Sequence, residues 1–138
     1  MNTQEIRSED WQEFCQKFTE FNRGSLLTIE VIGGDGILSE VAHELHLDKM
    51  MFDTTDACNN VISFSLGTNP DQRKINHFII EPIHVRIRQL PEGKKVLEIG
   101  SETGTNLVTF HSGRFPVKGD FKEEKHVAIL PEIYEDRT

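Results

Sequence analysis

The chain has 138 residues, enough for one domain that buries about two-thirds of its unfolded surface without needing disulfides. Hydrophobic residues make up 36% and charged residues 28%, a globular composition that excludes a wholly disordered chain. The formal net charge of −8 repels phosphate backbones and anionic lipid, which argues against nucleic-acid and membrane partners.

The first residues, MNTQEIRSEDW, are polar and acidic, which does not read as a signal peptide. No stretch reaches the ~20 apolar residues of a membrane span. Cys15 and Cys58 form no CxxC and are too few for a disulfide framework, so a reduced, cytoplasmic protein is expected. In SEDWQEFCQKFTEFNRG, the residues Trp11, Phe14, Cys15, Phe18 and Phe21 fall at helical spacing and predict one apolar stripe. Ser8 is a natural N-cap, Glu9 and Asp10 suit the first turn, Ile6 can act as a staple, and Gly24 marks the stop.

Strands follow. SLLTIEVIG puts Leu27, Ile29 and Val31 on one face, and GGDG (33–36) supplies residues for a turn. The segment up to Phe52 contains HELHLD (43–48). Read as a strand, it sets Val41, His43, Leu45 and Leu47 on an apolar face and Ala42, Glu44, His46 and Asp48 on the other. VISFSLG (61–67) alternates with Ile62, Phe64 and Leu66 inward, and INHFII (75–80) is a short strand halted by Pro82. IHVRIRQL (83–90) puts Ile83, Val85 and Ile87 inward and His84, Arg86 and Arg88 outward. A turn at PEGK pairs Leu90 with Lys94, which aligns Ile87 with Leu97, Val85 with Ile99, and Arg86 with Glu98. A further turn at Thr103 and Gly104 brings Val108 and Phe110 opposite Ile99 and Leu97. The fold class is α+β, mostly β: an N-terminal helix packed on a strongly bent antiparallel sheet or small β-barrel. The domain spans 1–114. Residues 115–138 form a C-terminal tail, partly docked (VAIL, 127–130) or flexible.

The chemistry-bearing residues are few. In HELHLD a strand points His43 and His46 to opposite sides, and the HExxH spacing is absent, so no metal site is expected. A wider site could assemble from His77, His84, His111 or His126, but no spacing demands it. Cys15 lies on the buried stripe and behaves as a small hydrophobe; Cys58 has Asp56 beside it, which opposes thiolate formation. GGDG lacks the following helix that a phosphate cradle needs, and no nucleophile elbow, Walker loop or dinucleotide fingerprint is present. No cofactor is implied. The single basic cluster is the outward row His84, Arg86 and Arg88 with Lys94 and Lys95. These five are the candidate binding residues, for a phosphate or an acidic peptide. Equally, the row can pair across the hairpin with Glu98 and the acidic surface.

EIRSEDWQEFCQKFTEFNRG followed by LLTIEV, and HVRIRQLPEGKKVLEI further on, resemble a small bacterial family, a domain of unknown function with a β-rich body. Its N-terminal helix carries the series found here as Ile6, Arg7, Trp11, Phe14 and Phe18. The likeness covers residues 4–111. It implies bacterial origin and one compact domain, and it carries no functional residues over. The architecture is also similar to Sm-like and SH3-like small barrels, but fold alone does not transfer function. The expectation is therefore a non-enzymatic protein- or ligand-binding module, acting through the basic hairpin face or an exposed strand edge, possible as a homo-oligomer. The alternatives are a nucleic-acid-associated small barrel and a metal-dependent or hydrolytic enzyme built on histidines.

Overall fold

The computed structural model describes residues 3–54, 59–67, 73–110 and 115–116. The expected mostly-β fold with one N-terminal helix is what forms. A strand β1 (Thr3–Ile6) and a 3₁₀ turn (Ser8–Asp10) lead into α1 (Trp11–Asn22). Seven strands follow: β2 (Leu26–Gly33), β3 (Leu38–Thr54), β4 (Asn60–Leu66), β5 (Ile75–Ile80), β6 (His84–Gln89), β7 (Lys95–Ser101) and β8 (Gly104–Phe110). All pair antiparallel in one open sheet of order β1-β6-β7-β8-β2-β3-β4-β5. Of the two expected forms, the bent sheet is realised and the closed barrel is not.

The sheet is rolled. Six steps separate β6 from β5, which in a flat sheet would set them ~29 Å apart. Yet only Glu81, Pro82 and Ile83 connect them, a reach of at most ~15 Å. A side-chain bond confirms the curl: Nε2 of His77 on β5 lies 2.7 Å from Oδ1 of Asn106 on β8. Two runs of neighbouring hairpins, β2 to β5 and β6 to β8, meet where β2 lies beside β8, Leu27 opposite Phe110.

The rolled interior holds the core. Leu27, Ile29, Leu47, Ile62, Phe64, Leu97, Ile99 and Val108 are fully buried. The helix adds Trp11, Phe14, Cys15 and Phe18 from its predicted stripe. Phe18 packs its ring against Phe64, Phe110 and Phe115. Burying each such ring contributes about 1.5–3 kcal/mol.

The start of the helix differs from the expectation. Neither the 3₁₀ turn nor α1 has a side-chain cap, so Ser8 is not an N-cap. Instead the Trp11 indole donates to the Ile6 carbonyl at 2.9 Å, and the Arg7 guanidinium sits 3.3 Å from Asp10. The helix also replaces a missing strand. Beyond Leu47, β3 has left β2, and helix residues cover that edge. The Met50 N–H donates to Thr19 Oγ1 at 2.9 Å, and Arg23 Nε donates to the Asp48 carbonyl at 2.9 Å. Gly24, at φ +87°, turns the chain and donates to the Leu47 carbonyl.

The β6–β7 hairpin has the predicted register, Val85 opposite Ile99, Arg86 opposite Glu98 and Ile87 opposite Leu97. The next hairpin is two residues out of its predicted register. Ser101 pairs with Gly104, so Leu97 faces Val108 and Ile99 faces Asn106. The turn residues are Glu102 and Thr103, because Gly104 must stay in the strand: a β-carbon there would collide with the Ile32 carbonyl. Ile83, expected inward, is 61% exposed, since it belongs to the β5–β6 connection rather than to β6.

Candidate functional site

The candidate basic face is built on the outer side of β1, β6 and β7. Strand alternation puts His84, Arg86 and Arg88 there, and the register sets Glu98 beside them. All three converge on that carboxylate. Arg88 Nε donates to Oε1 at 2.6 Å, His84 Nε2 lies 2.9 Å from Oε2, and Arg86 Nη1 lies 3.5 Å from Oε2. Arg86 Nε also donates to Glu5 on β1 at 2.7 Å. Glu98 is 8% exposed. The arginine stems close over it, so the two guanidiniums are balanced by two carboxylates and the face carries little net charge. Gly100 makes the arrangement possible, because a β-carbon there would run into the His84 ring. Lys95 falls at the register position of the inner face and Lys94 in the turn, so neither joins the row.

HELHLD is where β3 bends. Its pairing slips against β2 at Val41 and around Thr28, and against β4 at Asp48. Glu44 takes φ +51°, and its N–H donates to Thr28 Oγ1 at 3.1 Å. A bulge puts two residues opposite one and flips the alternation. Ala42 and Leu45 therefore both point inward, and His43 is exposed rather than on the apolar face. Its ring lies 3.0 Å from Glu40 and 3.8 Å from Glu44. Among the described residues, no three His, Cys, Asp or Glu stand close enough to hold a metal ion. His77 and His84 are on opposite faces of the sheet; His111, His126 and Cys58 lie outside the described residues. Cys15 is 1% exposed, and burial pushes its thiol well above the ordinary range.

The roll leaves a cleft of about 590 Å³ where β5, the β5–β6 connection and the β7–β8 turn face one another. Its inner wall carries Val31, Ile79 and the His77–Asn106 pair. Asn106 is 4% exposed, and its Nδ2 donates to the Ile99 carbonyl at 3.2 Å. That fixes its amide oxygen toward His77, so Nε2 of His77 carries the hydrogen. Glu81, Pro82, Ile83 and the Ser101–Gly104 turn form the rim. Glu81 adopts φ +49°, an uncommon conformation for a residue with a side chain. The Ser101 hydroxyl is 3.1 Å from Thr103 Oγ1, and it also donates to the Gly104 carbonyl.

β5 itself is an edge. Among the described residues no strand pairs with its far side. The Glu81 N–H donates to the Asn60 carbonyl, so antiparallel alternation turns the backbone groups of Asn76, Phe78 and Ile80 away from β4. Phe78 is 60% exposed and Ile80 54%.

Residues 2–118 match the family of unknown function DUF5335. The chain belongs to that family. The matched span takes in every described element, and it is wider at both ends than the span of the resemblance read from the sequence. The family carries no activity with it. Neither a curated protein nor a solved structure matches the chain.

The sequence points to an exposed strand edge without saying which strand, and to His77 only in a wider metal site; the cleft itself is not among its candidates. One signal was present for the cleft: in NLVTF, Asn106 occupies the inward parity of Val108 and Phe110, and a polar residue there needs a partner. That partner, His77, lies 29 residues away on another strand.

Proposed function

We propose that this protein is a non-enzymatic binding module that recognises a protein partner by strand addition to β5. One observation carries the reading. β5, INHFII, has no charged residue, no proline and no bulge, although an edge strand in a solitary protein is normally guarded by one of these. The other edge, β1, is short, and its Glu5 is paired with Arg86. The basic hairpin face supports recognition less well, because Glu98 and Glu5 already engage its guanidiniums.

The edge favours a second copy of this chain as the partner. With a net charge of −8, most surfaces of two copies repel, whereas β5 is uncharged. A two-fold axis at Phe78 pairs Asn76 of one copy with Ile80 of the other, matching outward N–H and C=O groups. It also sets the two exposed Phe78 side chains beside each other, flanked by Asn76 and Ile80. Native mass spectrometry and sedimentation of the full chain test this. A dimer in the wild type that Phe78→Lys converts to a folded monomer is the expected outcome. A monomer at every concentration refutes self-pairing.

A further inference from the structure

We propose that the cleft between β5 and the β7–β8 turn binds a small organic cation with an apolar body. His77 and Ile79 line the cleft from the inner face of β5, and Phe78 and Ile80 also border it, so the cleft adjoins the β5 edge. Its volume, about 590 Å³, lies within the range of small-ligand sites.

The lining sets the chemistry. Val31, Ile79 and Ile83 offer an apolar wall. The charged residues of the lining are Glu81 and Glu102, and no lysine or arginine is among them. Both carboxylates sit on the rim, at two separate connections, and both side chains are exposed. Neither makes an ion pair with another described residue. An anionic ligand would therefore face two carboxylates and meet no fixed cation. An ammonium group gains attraction from both, reinforced by the acidic charge of the whole chain. Within the wall, the His77–Asn106 pair is already bonded to itself, which leaves the two carboxylates as the acceptors that a ligand N–H would meet. The site thus combines acceptors for N–H groups with an apolar surface for the body of the ligand.

Three probes with the same phenylethyl body read the preference: 2-phenylethylammonium, 2-phenylethanol and 3-phenylpropanoate, titrated into the full chain and followed by amide NMR shifts. The cation is expected to shift amides of Ile79–Ile83 and Ser101–Gly104 and to bind about tenfold tighter than the alcohol, with the anion weakest. Rising salt should narrow the difference. The double variant E81Q/E102Q is expected to lower the affinity for the cation to that for the alcohol while leaving the alcohol unchanged. Both positions are exposed, so the fold should be retained. Binding of the anion as tightly as the cation, shifts elsewhere on the protein, an unchanged double variant, or no binding by any probe would each overturn the inference. None of these outcomes bears on β5 self-pairing, which is read by mass.

Discussion

Glu98 is the residue on which the outer face of the hairpin depends. Its carboxylate is nearly buried and receives Arg88, Arg86 and His84. Removing it strands three donors, two of them on side chains about a third or more exposed, so solvent recovers part of the loss. Glu98→Ala should cost about 1–3 kcal/mol in urea unfolding, and Glu98→Gln less, because the amide keeps an acceptor. Charge reversal at Arg86 or Arg88 is consequently a poor probe of binding, since it sets carboxylate against carboxylate inside the fold. Cys15 gives a second prediction at this scale. The folded thiol holds its proton above the ordinary value of 9.0. The stability that this burial allows is complete at about pH 8 and falls as pH rises past the unfolded value, where only the unfolded chain ionises freely. Unfolding followed from pH 8 to 10.5 should show a steeper loss in the wild type than in Cys15→Ala. Native alkylation should leave Cys15 unmodified. The place of Cys15 was readable from helical spacing. The pairing of Arg86 with Glu98 was readable from a hairpin whose turn sets the register. Pairing of the whole outward row with Glu98 was readable too; the space for the His84 ring was not, because it depends on Gly100 lacking a side chain.

Elements show where local pattern stops being sufficient. The apolar stripe of α1 predicts which side is buried, and it says nothing of what Thr19 does. Thr19 bonds both the N–H and the C=O of Met50, 31 residues away, and so completes the edge of β3 that β2 has abandoned. Thr19→Val keeps the shape and removes the hydroxyl. It should cost about 1–3 kcal/mol and accelerate hydrogen exchange at Met50. β3 is the instructive failure. Strict alternation predicts an inward His43, and each bulge resets the parity, so the face of every residue depends on how many bulges precede it. Those bulges are imposed by a strand that must serve two halves of a rolled sheet, a demand no window of neighbouring residues expresses. β1 has no signature in the sequence for a related reason: TQEI is short and polar, and it is a strand only because β6 offers it an edge.

For the molecule as a whole, the curl is the property that creates the cleft. The sequence announces antiparallel strands joined by short turns, and a bent sheet follows from them. Whether the roll closes depends on which strand takes the free edge of β6. β1 takes it, so among the described residues β5 pairs with β4 alone and a gap remains between β5 and β6. The His77–Asn106 bond spans that gap. Asn106→Leu removes it and leaves His77 without its partner. The expected result is a loss of about 1–3 kcal/mol, with hydrogen exchange rising at β5 more than at β7. Equal change in both strands would show that the bond does not hold the roll.

The seam between β2 and β8 has a consequence for how the chain is made. Leu27 emerges from the ribosome early, and the strand that covers it ends at Phe110. At ordinary synthesis speeds the wait is roughly 4–17 seconds. Once β5 has emerged, the hairpins of β2 to β5 can form, but apart from α1 their apolar face has nothing to close against. The nascent chain therefore presents part of the Leu27, Ile29 and Ile62 surface before β6 to β8 exist to cover it, and slower translation is expected to lengthen that exposure.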